Sequence, residues 1–202
     1  VNYRYDSDEL FADDTDHSRY SFFGIKAELA RNTLDKFLYP RRGSDLKLSG
    51  IFVTGRDKYE PFDAKKFLSR TPRQWFGARF TWDKYFDMPG CSWLSLGLNV
   101  DGVITNHPEF TTEGATVMSM PAYEPVPHAQ MIYMPDFRGR RFAAGGIMPT
   151  FDLMHNFFLR TGFYAMFREK RSFVPGVSGP VEDKRWHYIC LLYTSDAADD
   201  KA

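Results

Sequence analysis

The sequence predicts an all-β protein: a partial antiparallel transmembrane β-barrel, about eight strands of a larger barrel, with long loops and little helix. Three observations predict it. Apolar residues recur at alternate positions in several stretches, which is the period of a strand with two unlike faces. Those stretches are also long. A strand in a soluble sheet usually runs about 5–6 residues, whereas one crossing an outer membrane needs about 9–11. Finally, the second face of these stretches mixes Gly, Ser, Asn, Asp, Arg and Trp, as a wet lumen does. A soluble sandwich or a lipocalin-like barrel is the alternative that the same alternation allows.

The clearest stretch runs from Gln74 to Asp101. Gln74, Phe76, Ala78, Phe80 and Trp82 form one nearly apolar face, and Arg73, Trp75, Gly77, Arg79, Thr81, Asp83 and Tyr85 form the other. After a break at Met88-Pro89-Gly90, Leu94, Leu96, Leu98 and Val100 alternate with Ser95, Gly97, Asn99 and Asp101, so the pair predicts a hairpin.

Earlier in the chain, Val1 to Asp6 alternates weakly, as the end of a strand would, and Asp6 to His17 is an acidic exposed loop. From Ser21, the residues Phe23, Ile25, Ala27 and Leu29 share one face of a strand, and turn chemistry follows through Asn32, Pro40 and Gly43. Ser44 to Thr54 places Leu46, Leu48 and Phe52 opposite Asp45, Lys47 and Ser49. Gly55 to Thr71 is a charged loop, in which Lys65 and Lys66 fit solvated side chains better than a phosphate site.

Beyond the hairpin and a loop through His107 and Pro108, Thr112 to Tyr123 is expected as a poorly alternating strand, ended by Pro121, Pro125 and Pro127. Phe137 to Ile147 is basic and glycine-rich, but its spacing matches neither a Walker loop nor a dinucleotide fingerprint. Its glycines are expected at kinks or close approaches. Asn156 to Phe167 is a strand with Phe157, Leu159 and Phe163 on one face and Arg160, Gly162 and Tyr164 on the other, and a last strand opens near Lys184.

In a bilayer this alternation would turn Phe76, Phe80, Leu94, Leu96, Leu98, Phe157, Leu159 and Phe163 to lipid, and Arg79, Asp83, Asn99, Asp101, Arg160 and Tyr164 to the lumen. Arginine at Leu96 is expected to cost about 2–4 kcal/mol in such a barrel, and at Asn99 much less.

Composition narrows the function classes. The 202 residues include 26 basic and 26 acidic side chains, so no global field favours nucleic acid. Mean hydropathy is −0.43, and no run of about 18 apolar residues predicts a membrane-spanning helix. The 19 Phe, 11 Tyr and 4 Trp suit aromatic girdles, or an aromatic core. Two cysteines, Cys91 and Cys190, and five scattered histidines predict no disulfide framework, metal site or cofactor. Gly176-Val-Ser178-Gly-Pro180 fails the last position of G-x-S-x-G, and Asp101-Gly102-Val103 is read as a strand end, so no catalytic residue is predicted.

The chain begins at Val1 rather than Met and is expected to be a piece of a longer protein. Residues 1–189 are assigned to the barrel. The tail 190–202, CLLYTSDAADDKA, resembles a translated sequencing-adapter peptide and is expected to be non-native.

Several blocks carry a resemblance: ARNTLDKFLYPRRGS from Ala30 to Ser44, TGRDKYEP from Thr54 to Pro61, MPAYEPVPHAQ from Met120 to Gln130, FRGRRFAAGGIMP from Phe137, and LRTGFYAMF from Leu159. Together, in this order, they resemble the C-terminal barrel of the patatin-like phospholipases of Bacteroidetes-type bacteria, itself similar to the bacterial surface antigen superfamily. The resemblance implies a bacterial outer-membrane location, contact with outer-membrane lipid, and an upstream lipid acyl hydrolase domain as partner in the same chain. It also implies a loop lock. In that superfamily an Arg-Gly motif on a long extracellular loop folds into the lumen, where the Arg meets acidic groups of the wall. Here Arg138-Gly139 is the counterpart, with Asp83 and Asp101 as the nearest acids, although Arg140 stands where an aromatic usually follows the Gly. A soluble β-sheet binding module and a barrel enzyme with a lumenal site are the alternative functions.

Overall fold

The computed structural model describes residues 2–6, 17–36, 40–60, 69–91, 93–110, 113–125, 134–154, 157–173 and 180–196. The strands are β1 (Asn2–Asp6), β2 (His17–Asn32), β3 (Gly43–Glu60), β4 (Ser69–Asp87), β5 (Leu94–Thr105), β6 (Arg141–Met154), β7 (Phe157–Phe173) and β8 (Pro180–Asp196). They form one antiparallel sheet in chain order, each strand paired with its sequence neighbours. Among the described residues β1 and β8 do not pair, so the sheet is open. Among the described residues helix is limited to α1 (Glu113–Ser119) and one 3-10 turn, Pro135–Phe137.

Two readings of the sequence are corrected here. The stretch Gly55 to Thr71 is not one loop, because β3 continues through Glu60 and β4 begins at Ser69. Charged residues there hide the strand: inner Asp57 is buried beside Arg73, while outer Arg56 meets solvent. The second correction is α1, where a strand was expected. Thr116, Val117 and Met120 are buried while Met118 and Ser119 are exposed, which is a helical spacing of apolar contacts, and Pro121 stops the turn. β8 runs on through Cys190 to Asp196 in register with β7, from Phe163↔Cys190 to Phe157↔Asp196. Residues 7–16, 61–68 with Lys65 and Lys66, and 174–179 with Gly176 and Ser178, lie outside the described residues.

The two faces of the sheet differ sharply. We call inner the face over which the β5–β6 connection, 106–140, folds. That connection closes on itself, with Ala122 bridged to Arg138 and the Tyr123 N–H donating to the Phe137 carbonyl at 2.8 Å. Its Tyr123 and Phe137 pack on Val103, Phe142, Ala144, Met148, Tyr164 and Met166 of β5, β6 and β7, forming the core. The outer face carries no such cover among the described residues. Phe23, Ile25 and Leu29 on β2, Leu48 and Phe52 on β3, Phe76 on β4, Ile104 on β5 and Leu192 on β8 are all exposed.

Turn and glycine positions follow from these demands. The β4–β5 hairpin turns at Met88-Pro89-Gly90, where the Cys91 N–H donates to the Met88 carbonyl at 3.1 Å and Gly90 has φ +83°. Proline followed by a positive-φ residue is the type II turn, which glycine alone adopts without strain. On β6, Gly146 lies against the Tyr164 ring. A Cβ there would come within 2.2 Å of it, so this glycine of the basic block serves packing.

Candidate functional site: the loop held on the inner wall

Arg168 organises the site. It is the inner-face residue of β7 that follows Tyr164 and Met166, and it is 3% exposed. Its Nε donates to His187 Nε2 at 2.8 Å, Nη1 to the Arg138 carbonyl at 3.2 Å, and Nη2 to Asp136 at 3.3 Å and Asp183 at 3.5 Å. Asp136 and Arg138 belong to the connection, and the other partners belong to β8. One guanidinium therefore joins the loop to two strands, a task that five fixed donors suit and an ammonium does not.

Two further contacts fix the same loop. Arg140 donates to Glu169 Oε1 at 2.9 Å, and its backbone N–H donates to the Glu169 carbonyl, also at 2.9 Å. Tyr123, 1% exposed, donates its hydroxyl to Asn99 Oδ1 at 2.6 Å, and Asn99 Nδ2 donates to Asp83 at 2.7 Å. Burial raises the Tyr123 phenol above its ordinary pKa, so it stays a donor.

The expected lock residues are arranged as follows. Phe137-Arg138-Gly139 does lie on the inner side, with Phe137 and Gly139 buried. But Arg138 forms no ion pair with Asp83 or Asp101; its Nη1 donates to the carbonyls of Met118 and Met120 at 2.8 and 3.1 Å, closing the end of α1. Asp101 is already bound by Arg79 through bonds of 3.2 and 2.6 Å, and Asp83 by Asn99. At Arg168 the wall supplies the cation and the loop an acceptor, whereas at Arg140 the loop supplies the cation and the wall the carboxylate. Asp101 also lies well inside β5 rather than at a strand end.

Other named residues fall as follows. Arg79, Asp83, Asn99, Asp101, Arg160 and Tyr164 sit on the inner face, and Phe76, Phe80, Leu94, Leu96, Leu98, Leu159 and Phe163 on the outer one. Phe157 pairs with Met154 at the start of β7, and its side chain is outside the described residues. Arg160 reaches across to the β2–β3 turn, donating to the Pro40 carbonyl at 2.6 Å and to Thr150 at 2.9 Å, with its guanidinium 5.5 Å from the Tyr85 ring centroid. Beside it Arg41 pairs with Asp152 at 2.6 Å. The short β2–β3 turn therefore closes over the inner face at the end opposite the long connection.

His107 was not singled out by spacing, yet it is the most unusual titratable group of the connection. It is 2% exposed, T-stacked on Trp75 and Phe110 with centroids 5.0 and 5.1 Å away, and neither ring nitrogen has a hydrogen-bond partner. Burial lowers its pKa to about 4. Among the described residues no three His, Cys, Asp or Glu side chains are grouped so that they could hold a metal ion. No protein-family model matches the chain, and no curated protein or solved structure matches it significantly.

Proposed function

We propose that the chain is part of the wall of a bacterial outer-membrane β-barrel that anchors a patatin-like phospholipase and serves as a pore for its display or export. The observation that carries this reading is the outer face: apolar side chains stand exposed on neighbouring strands from β2 to β8, while the inner face, which mixes buried charged groups with an apolar core, is covered by the chain's own loops. A water-soluble sheet buries its apolar face; a barrel wall in lipid does the opposite. The dimensions support it. On β2 the outer charges Arg19 and Arg31 stand about 40 Å apart along the strand at the usual rise, which at a tilt of about 45° is about 28 Å along a membrane normal. That brackets an apolar band about 25 Å tall.

The lipase assignment rests on the five sequence blocks that resemble the patatin-like family. The inner-face network suits a supporting role, since Arg160 and Arg168 each tie a connection to the sheet and, among the described residues, no charged group in it adjoins an activated nucleophile. Extraction from bacterial membranes tests the membrane reading. The chain is expected in the outer-membrane fraction, released by detergent only; a monodisperse species in plain buffer refutes it.

A further inference from the structure

The charged positions that border the outer face do not share a register row. Arg141, Glu169 and Lys184, on β6, β7 and β8, are direct partners, and their row continues through Ile104, Ala78 and Gly50 to Ala27 on β2. Towards the end bearing the long connection, β2 carries no outer charge until Arg19, eight residues from Ala27, and β3 none until Arg56, six residues from Gly50. The opposite border shifts in the same sense. Arg31 of β2 lies in the row of Leu46, Trp82, Val100, Gly145 and Ala165. Lys84 of β4 lies in the row of Leu98, Ile147 and Phe163, of which Ile147 and Phe163 are exposed. Between the two borders no outer position of the described strands is charged.

The size of the shift is informative. From β2 to β8 the border moves eight residues, about 26 Å at the usual rise, while the six spacings between these strands cover about 29 Å, a slant of about 42°. Strands of membrane barrels tilt by about 35–45°. Tryptophan supports the same borders, because its ring suits the membrane interface. Trp186 is the outer residue next to Lys184 on β8, and Trp82 the one next to Lys84 on β4, where its Nε1 donates to Ser44 Oγ at 3.1 Å. In register the two tryptophans are two residues apart, since the row of Trp186 runs through Phe167, Ala143 and Gly102 to Phe80. The slant sets them at opposite borders.

We infer that lipid hydrocarbon contacts the sheet along a belt that crosses the register rows at about 40°. Headgroups meet Arg19, Arg56, Arg141 and Lys184 at one border and Arg31 and Lys84 at the other. The sign of these charges and their pairing do not enter, because an ionised side chain of either sign on the lipid face is costly in mid-membrane and cheap at the interface. Depth therefore cannot be read from register. Ala78 and Ala165 both lie near mid-belt, although Ala78 shares a row with Lys184 and Ala165 shares one with Arg31. The inference rests on the membrane reading and adds to it the tilt of the strands and the depth at which each outer residue meets lipid.

The test uses the full chain, with Cys91 and Cys190 replaced by serine, reconstituted in phosphatidylcholine vesicles. Ala78→Cys, Ala165→Cys, Arg31→Cys and Lys184→Cys each carry one fluorophore, and quenching is compared between lipids bearing a nitroxide on the headgroup and lipids bearing one at mid-chain. The labels at Ala78 and Ala165 are expected at one depth, quenched best from mid-chain and lying about 13 Å deeper than those at Arg31 and Lys184, half of an apolar band about 25 Å tall. If a label at either alanine blocks folding, the next outer position of the same strand, Phe80 or Phe163, takes its place. A label at Ala78 as shallow as that at Lys184, or one at Ala165 as shallow as that at Arg31, means that the rows run parallel to the membrane. The inference then falls and the membrane reading stands. Quenching by neither nitroxide at any of the four sites means that the chain does not meet lipid, and both fall.

Discussion

The outer and inner faces are made by alternate residues of the same strands, yet they meet opposite fates. Outer Phe76 is 62% exposed and inner Tyr164, three strands away, is 3% exposed. The outer face needs no partner from the chain if hydrocarbon covers it. The inner face cannot be left as it is: its carboxylates and guanidiniums need hydrogen bonds, and the chain returns two connections to supply them. The difference teaches that polarity here marks which side must be specified residue by residue, and apolarity marks which side need only be uniform.

Breaking the inner side should therefore be costly. Arg168→Ala strips the loop and β8 of a shared donor, while Asp183 keeps its pair with Arg185 at 2.7 Å. Loss of hydrogen bonds from one charged donor costs about 1.5–3 kcal/mol. Thermal unfolding in detergent should fall accordingly, and Arg168→Lys should recover little, whereas Arg138→Ala, which releases the helix-end carbonyls of Met118 and Met120, should cost less. A smaller effect of Arg168→Ala than of Arg138→Ala would contradict this ranking.

On the outer face a charge should cost about 2–4 kcal/mol near mid-membrane, so Leu96→Arg should lower stability in vesicles but not in the same measure in detergent. The structure changes the control. Asn99, read from the sequence as a tolerant lumen position, is buried between Tyr123 and Asp83, and an arginine there would break both bonds. Ser49, inner and half-buried on β3, is the proper partner for the comparison.

Acid tests the aromatic box. The His107 imidazole titrates near 6.5 when unfolded and near 4 when packed, so the unfolded state takes up a proton first as pH falls. Stability supplied by this packing is whole above about pH 6.5, is lost between there and about 4, and totals at most about 3 kcal/mol. The charges around it are Arg140, which disfavours a second cation, and the Glu109–Arg171 and Asp57–Arg73 pairs nearby. Limited proteolysis of the connection across this range should show the sensitivity, and His107→Phe should remove it. The smallest effect is Tyr123→Phe, worth about 1 kcal/mol for one buried hydrogen bond.

The strands were legible because alternation is a local property, readable wherever one face is uniform. Leu94, Leu96 and Leu98 declare β5 without reference to any other strand. It failed where both faces are polar, as at Gly55 to Glu60, and where burial followed a helical turn, as at Thr116, Val117 and Met120. The site was legible only in part. Arg168 was within reach, since it continues the inner series of Arg160, Gly162 and Tyr164 past Phe167. Its loop partners were not: Asp136 and Arg138 lie in the long connection, as Pro40, the partner of Arg160, lies in the β2–β3 turn, and no period in the sequence says which strand a turn folds back upon.

The assignment of the two faces is tested most directly by single spin labels at successive positions of β4, from Arg73 to Lys84, in a chain whose Cys91 and Cys190 are replaced by serine and which is reconstituted in lipid. Accessibility to oxygen, which concentrates in hydrocarbon, should peak at Gln74, Phe76, Ala78, Phe80 and Trp82. Accessibility to a water-soluble nickel chelate should not peak there. Oxygen maxima at Trp75, Arg79 and Asp83, or no alternation along the strand, would contradict the account.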